Sequence, residues 1–145
     1  MAAAPVRPLS RKRSWEAPLF WLLALLHGAN GAWMLVAPEP WFARVPGVPA
    51  TGPFNSHFVR DVGCAYLAAA LAFALAARQP EDAYRLLLVA SAFLSLHALV
   101  HAWDMGTGRL PPGHALLDSP GIFVPAIVAI ALTLWLRRRA LSRAT

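Results

Sequence analysis

The chain has 145 residues, of which 58% are hydrophobic and 14% are charged, and its formal net charge is +6. Because a soluble domain carries about 25% charged residues, this composition argues against a water-soluble globular domain. The basic residues lie mainly before the first apolar run and after the last one. No soluble domain therefore remains to carry a nucleic-acid interface, and we expect the basic ends to meet anionic lipid headgroups of a bilayer instead.

Four apolar segments follow one another along the chain. They cover residues 18–36, 58–77, 84–103 and 120–136. Each is close to the roughly 20 residues that a helix needs to span a hydrocarbon core. The sequence therefore predicts an all-α integral membrane protein, with one domain over residues 1–145 that forms a four-helix bundle in up-down-up-down order.

Two connecting segments are rich in proline and glycine. Residues 38–53 contain five prolines and two glycines, which predicts a loop rather than a regular helix. Residues 104–119 form the second connection, and we expect His114 within it to be solvated. Ser119 is predicted to cap the fourth helix before Pro120, and Pro125 to kink that helix or mark its first turns.

The distribution of basic residues predicts the orientation in the membrane. Four lie at the amino end, four at the carboxyl end and two near the short turn between the second and third helices, against Arg44, Arg60 and Arg109 on the other side. The positive-inside rule then places both termini in the cytoplasm. Abundant alanine and arginine suggest a bacterial source, hence the inner (plasma) membrane. A cleaved signal peptide is the alternative for the first segment, although its apolar run is long for one.

Histidines and acids collect towards the predicted outer side of the membrane. On the third helix, His97, His101 and Asp104 recur at i, i+4 and i+7 and share one face. On the second helix, His57 and Asp61 share a face by the same rule. Imidazole and carboxylate groups suit zinc, copper, iron or nickel, so we predict that these five residues converge on a transition-metal site. A haem with an axial histidine is the other cofactor that such a cluster could hold.

Four further residues are predicted to line the pocket or to orient its ligands: His27, Asn30, Arg60 and Cys64. Cys64 is the only cysteine, and its simplest role is that of a small buried apolar group. The histidines also admit a structural or proton-handling role. Three functions stay open: a membrane protein that binds a metal, cofactor or small ligand; a redox enzyme that uses the same cluster; and a structural subunit of a larger complex. Small residues on the second helix would permit a homo-oligomer or another membrane partner.

The overall plan resembles the DoxX-like group of small four-helix bacterial membrane proteins. Three features carry the resemblance: the glycine-interrupted sequence His-Gly-Ala-Asn-Gly at residues 27–31, the Pro-rich loop, and the sequence Arg-Asp-Val-Gly at residues 60–63, which opens an alanine-rich helix. The resemblance implies a four-helix membrane fold. It assigns no catalytic residue.

Overall fold

The computed structural model describes residues 16–142, and this part of the chain is helical without any strand. Its elements are α1 (Ala17–Val36), α2 (Pro38–Arg44), α3 (Ser56–Arg78), α4 (Ala83–Gly106), α5 (His114–Asp118) and α6 (Val124–Leu141), with a 3₁₀ turn at Val48–Thr51 and a π-helical turn at Ser119–Phe123. The basic residues Arg7, Arg11, Lys12, Arg13 and Arg143, on which the predicted orientation partly depends, lie outside the described residues.

Four helical stretches are long and apolar enough to cross a membrane. They are α1, α3, α4 and the continuous helical run His114–Leu141, which joins α5, the π-helical turn and α6. The prediction of four long apolar helices is therefore confirmed. Large apolar side chains face outward on these helices, for example Leu25, Val89 and Ile127 at 65–69% exposure. Lipid would be the compatible surroundings for such surfaces.

The first long connection is more helical than predicted. Residues 38–53 contain α2 and the 3₁₀ turn, so the prediction of a segment without regular helix is wrong. Pro38 and Pro40 fall in the first turn of α2. Backbone N–H groups in a first turn have no partner within the helix, so proline loses no hydrogen bond there. The indole Nε1 of Trp41 donates a 2.9 Å hydrogen bond to Oδ1 of Asn30. This bond joins α2 to α1, and the Trp41 side chain is buried.

Two glycines let α1 and α3 pack closely. A Cβ atom added at Gly31 would lie 2.7 Å from the carbonyl oxygen of Gly63, and one added at Gly63 would lie 2.9 Å from Cβ of Met34. Such distances are below van der Waals contact, so only glycine allows this approach. The same small-residue logic brings membrane helices together, since close backbones gain packing that lipid cannot supply.

The core between α3, α4 and α6 combines large and small side chains. Phe73, Leu87 and Ala129 are each fully buried. The hydroxyl groups of Ser91 on α4 and Thr133 on α6 lie 2.7 Å apart, and Thr133 also donates to the carbonyl of Ala129. A buried hydroxyl costs free energy unless it finds a partner. This pair thus satisfies two polar groups in the apolar middle of the bundle.

The π-helical turn sets which face α5 presents. Pro120 and Pro125 cannot donate backbone hydrogen bonds, and Val124 N–H instead bonds to the carbonyl of Ser119, five residues back. The Ser119 hydroxyl donates a hydrogen bond to the Ala115 carbonyl at 2.7 Å, so the prediction that Ser119 caps the fourth helix is wrong.

The wider π-helical turn takes up one extra residue compared with a regular α-helix. In a regular α-helix, Asp118 and Ala126 would differ in direction by roughly 80°. The extra residue brings both onto the buried side.

The amino end of α1 and the carboxyl end of α6 are joined by an ion pair. Glu16, which is 2% exposed, pairs with Nη1 of Arg139, and the guanidinium of Arg139 also lies over the ring of Trp135 at 5.1 Å from its centroid. We call this end of the bundle the terminal end. The opposite end, where the two long connections lie, is the loop end.

Candidate functional site

A buried hydrogen bond at the loop end links α4 to α5. Nδ1 of His101 lies 2.8 Å from Oδ2 of Asp118, and the two side chains are 14% and 5% exposed. His101 lies near the end of α4, and Asp118 is the last residue of α5. The short connection after Gly106 brings α5 back over the end of α4, and the π-helical turn directs Asp118 inward. A carboxylate so little exposed needs partners for its lone pairs, and His101 supplies one.

His114 stands on the other side of the same carboxylate. It precedes Asp118 by one helical turn, so the two side chains share a face. Its Nε2 lies 3.6 Å from Oδ1 of Asp118, which is too long for a hydrogen bond. This buried nitrogen has no hydrogen-bond partner within residues 16–142. His114 is 3% exposed, so the prediction that it is solvated is wrong. We call His101, His114 and Asp118 the His–Asp cluster.

The first connection covers the His–Asp cluster. Gly47, which follows α2, has a backbone φ of 87°, and a Cβ atom added there would lie 2.8 Å from Nε2 of His114. Glycine is required twice at this position, because it tolerates positive φ and because it leaves room for the imidazole. The Pro-rich segment is therefore part of the wall that keeps water from His114.

A row of rings continues from the cluster into the bundle. His97 lies one turn before His101 on α4, with ring centroids 4.9 Å apart, and its ring also meets the edge of Tyr66 at 5.8 Å. Tyr66 stacks on His27 at 5.6 Å, and His27 stacks on Phe73 at 5.7 Å. These contacts are between ring faces and edges. They pack the polar rings against one another, and within residues 16–142 the bond between His101 and Asp118 is the only side-chain hydrogen bond in this row.

The remaining predicted ligands have other partners. His57 and Asp61 form an ion pair of 3.4 Å with each other on α3, where their side chains are 87% and 62% exposed. Asp104 accepts a 3.1 Å bond from Arg109. The structure therefore places His57, Asp61 and Asp104 in exposed or partly exposed ion pairs. Within residues 16–142, no group of three or more His, Cys, Asp or Glu side chains is arranged to hold a metal ion.

The four residues predicted to surround the pocket are dispersed. His27 is buried in α1 at 4% exposure, and its Nε2 has no hydrogen-bond partner among the described residues. Asn30 holds Trp41. Nε of Arg60 donates to the carbonyl of Leu35 at 3.3 Å. Cys64 is exposed, which corrects the expectation of a buried thiol.

Asp118 and His114 are the members of the cluster that the sequence pattern did not single out. A signal existed, since His114 and Asp118 are four residues apart and directly precede the fourth apolar segment. That spacing places both on one helical face. The spacing indicates a shared face only if α5 is helical, and the prolines and glycines of residues 104–119 argue against a helix there.

Comparison of the chain with protein-family models, with curated proteins and with solved structures gives no match.

Proposed function

We propose that the protein spans a membrane four times and binds a proton at the His–Asp cluster. Support for membrane insertion comes from the four apolar helices and their outward-facing leucine, valine and isoleucine side chains. Support for the proton comes from one observation: the carboxylate of Asp118, 5% exposed, has one oxygen 2.8 Å from His101 and the other 3.6 Å from His114.

The composition of the cluster favours proton binding over other ligands. With Asp118 ionised and both imidazoles neutral, the cluster carries one negative charge. A buried charge costs free energy that its partners must offset, and one proton bound within the cluster would neutralise that charge. Histidine is also the side chain whose ordinary titration falls between about pH 5 and pH 8. The low exposure of all three side chains leaves little space for an organic ligand but admits a proton.

Protonation would change the geometry of His114. Its Nε2 lies 3.6 Å from Oδ1 of Asp118, and a protonated imidazole donates from both nitrogens. A charge-assisted hydrogen bond is about 2.7–2.9 Å long, so proton uptake would draw the two groups together. Because Gly47 lies against the same ring, this movement would be felt by the connection that covers the cluster.

The proposed arrangement in the membrane is up-down-up-down, with both termini in the cytoplasm of a bacterial cell. The order is supported by the contacts of Gly31 with Gly63 and of Gly28 with Ala70, in which residue numbers fall along α1 as they rise along α3. The ion pair of Glu16 with Arg139 supports termini on the same side. A reporter fused after residue 145 that is active only outside the cytoplasm should stay inactive. An active reporter would overturn this orientation.

The proton site is tested by replacing Asp118 with Asn and following histidine protonation. The protein carries ¹⁵N-labelled histidine in detergent micelles, and each resonance is assigned by a His→Gln variant. Asp118→Asn removes the carboxylate that both imidazoles approach, so the pH-dependent change of the His101 and His114 resonances should differ from that in the unchanged protein. His57 and Asp61 provide a matched control, since they form an i, i+4 pair in an exposed setting.

Two results would refute the proton site. Imidazole resonances of His101 and His114 that do not change between about pH 5 and pH 8 would show that the cluster binds no proton in that range. Equal effects of Asp118→Asn and Asp61→Asn on these two resonances would show that Asp118 has no special link to them. If the resonances stay constant while Asp118→Asn lowers the melting temperature, the cluster stabilises the packing of α5 on α4 and does not bind a proton.

A transition metal is the second candidate ligand, and the free Nε2 of His114 favours it. Two ligands of a tetrahedral zinc ion, each about 2.0–2.1 Å from the metal, lie roughly 3.4 Å apart. The 3.6 Å from this nitrogen to Oδ1 of Asp118 is close to that spacing. His101, hydrogen-bonded to Oδ2, would then hold the carboxylate in place. Elemental analysis after dialysis against zinc, copper or nickel should find one equivalent that His114→Gln removes. Metal content unaffected by this change would exclude the site.

A further inference from the structure

A second candidate site lies at the loop end, in a groove between the end of α1, the start of α2 and the start of α3. The groove is open to the surface and has a volume of about 520 Å³. Glu39 and Arg60 supply its charges, while Pro38, Pro40 and Phe54 supply apolar surface. None of these residues belongs to the His–Asp cluster, so the groove is independent of the proton site.

Both charged side chains in the groove have polar atoms without a partner among residues 16–142. Arg60 is anchored through its Nε, which donates to the carbonyl of Leu35 at 3.3 Å. Its terminal nitrogens make no ion pair or hydrogen bond with residues 16–142, and the exposed carboxylate of Glu39 likewise has no ion-pair partner in that range. The two side chains line one groove without pairing with each other. A ligand with separated positive and negative groups could therefore engage both.

The surroundings of the groove indicate an amphiphile. Val36 on its rim is 85% exposed, and Phe58, on the first turn of α3, is 65% exposed. These apolar side chains belong to helices that are long and apolar enough to cross a membrane, and the groove lies at their ends, which corresponds to headgroup level. An acyl chain could follow this outward face while a polar headgroup occupies the groove.

We propose that the groove binds the headgroup of a phosphatidylethanolamine lipid, with its phosphate at Arg60 and its ammonium at Glu39. A guanidinium suits a phosphate because its N–H donors match the phosphate oxygens. A primary ammonium has three donors for the carboxylate, whereas the trimethylated ammonium of phosphatidylcholine has none. An anionic lipid would meet the carboxylate of Glu39 unfavourably. The inference shares with the proton site only the proposed membrane location.

Native mass spectrometry of the full chain, released from detergent micelles, tests this inference. The micelles contain equal amounts of phosphatidylethanolamine, phosphatidylcholine and phosphatidylglycerol with identical acyl chains. We expect phosphatidylethanolamine to be retained preferentially. Glu39→Gln and Arg60→Gln should each weaken its retention roughly tenfold, which corresponds to the loss of one charge-assisted hydrogen bond. Glu39→Gln leaves the bond from Arg60 to Leu35 intact, so it stays informative if Arg60→Gln unfolds.

Neighbouring charges outside the groove provide controls. Arg44→Gln and Asp61→Asn remove one charge of each sign nearby, and both should leave retention unchanged. Equal retention of phosphatidylethanolamine and phosphatidylcholine would overturn the proposal, as would preferential retention of phosphatidylglycerol. Free phosphoethanolamine should compete weakly, since it lacks acyl chains. Competition at concentrations similar to those of the lipid would assign the groove to a water-soluble zwitterion and overturn the lipid assignment.

Discussion

Nδ1 of His101 and Oδ2 of Asp118 lie 2.8 Å apart although the residues are 17 positions apart in the sequence. The bond joins the end of one long helix to the beginning of the next helical run, across the connection that follows Gly106. His114 and Asp118 both lie on α5, so a displacement of α5 along α4 would break the bond between Asp118 and His101 while His114 and Asp118 moved together. The cluster is therefore both a candidate proton site and part of what holds the loop end together.

Adding one methyl group between α1 and α3 should destabilise the bundle at one position and not at another. Gly31→Ala would place Cβ 2.7 Å from the carbonyl oxygen of Gly63, so we expect a loss of about 1–3 kcal/mol from overpacking. Gly28→Ala is the control, because its Cβ would meet that of Ala70 at an ordinary 3.6 Å. Melting temperatures in the same detergent decide the matter. Equal losses at both positions would contradict the close approach.

Alanine substitutions at two glycines with positive φ distinguish the effect of backbone strain from the effect of contact with the His–Asp cluster. Gly47→Ala and Gly108→Ala both place alanine at positive φ, at 87° and 75°, which costs roughly 1–2 kcal/mol in each case. Only Gly47→Ala also presses a methyl group against Nε2 of His114. The ¹⁵N resonances of His114 should therefore change in the first variant and stay in place in the second. A shift of similar size in both would argue against direct contact.

The hydroxyl pair of Ser91 and Thr133 should show energetic coupling. The two oxygens are 2.7 Å apart in the apolar middle of the bundle, and polar pairs in membrane proteins contribute about 0.6 kcal/mol on average. A double-mutant cycle with Ser91→Ala and Thr133→Val, measured as unfolding free energies in mixed micelles, isolates this term. Strictly additive losses would show that the pair contributes nothing beyond its separate contacts.

The ion pair at the terminal end should respond asymmetrically to removal of its partners. Glu16 is 2% exposed, whereas Arg139 is 41% exposed. Arg139→Ala leaves a buried carboxylate without its counter-charge, while Glu16→Ala leaves a guanidinium that can turn towards water. Since a buried unpaired charge is the costlier outcome, Arg139→Ala should lower the melting temperature more. The reverse order would indicate that Glu16 reaches solvent or another cation when Arg139 is absent.

Local pattern was enough to predict the helices but not all connections. Hydropathy over about 20 residues reports a helix that buries its own backbone hydrogen bonds, and all four long helices follow from it. Helix α2 was missed because five prolines within residues 38–53 suggested a loop. Its Trp41 donates a hydrogen bond to Asn30 on α1, a contact between separate elements that composition does not reveal.

The candidate site was only partly accessible from the sequence. By itself, the sequence determined four apolar helices and placed His97 and His101 on one face of α4, because helical periodicity acts within a single segment. Only the tertiary structure decided that Asp118, rather than Asp104, bonds to His101, and that His57 and Asp61 pair in an exposed position. Those outcomes depend on how α5 folds over α4 and how the π-helical turn rotates Asp118 inward. Such relations between elements arise from packing, and no residue spacing within one helix encodes them.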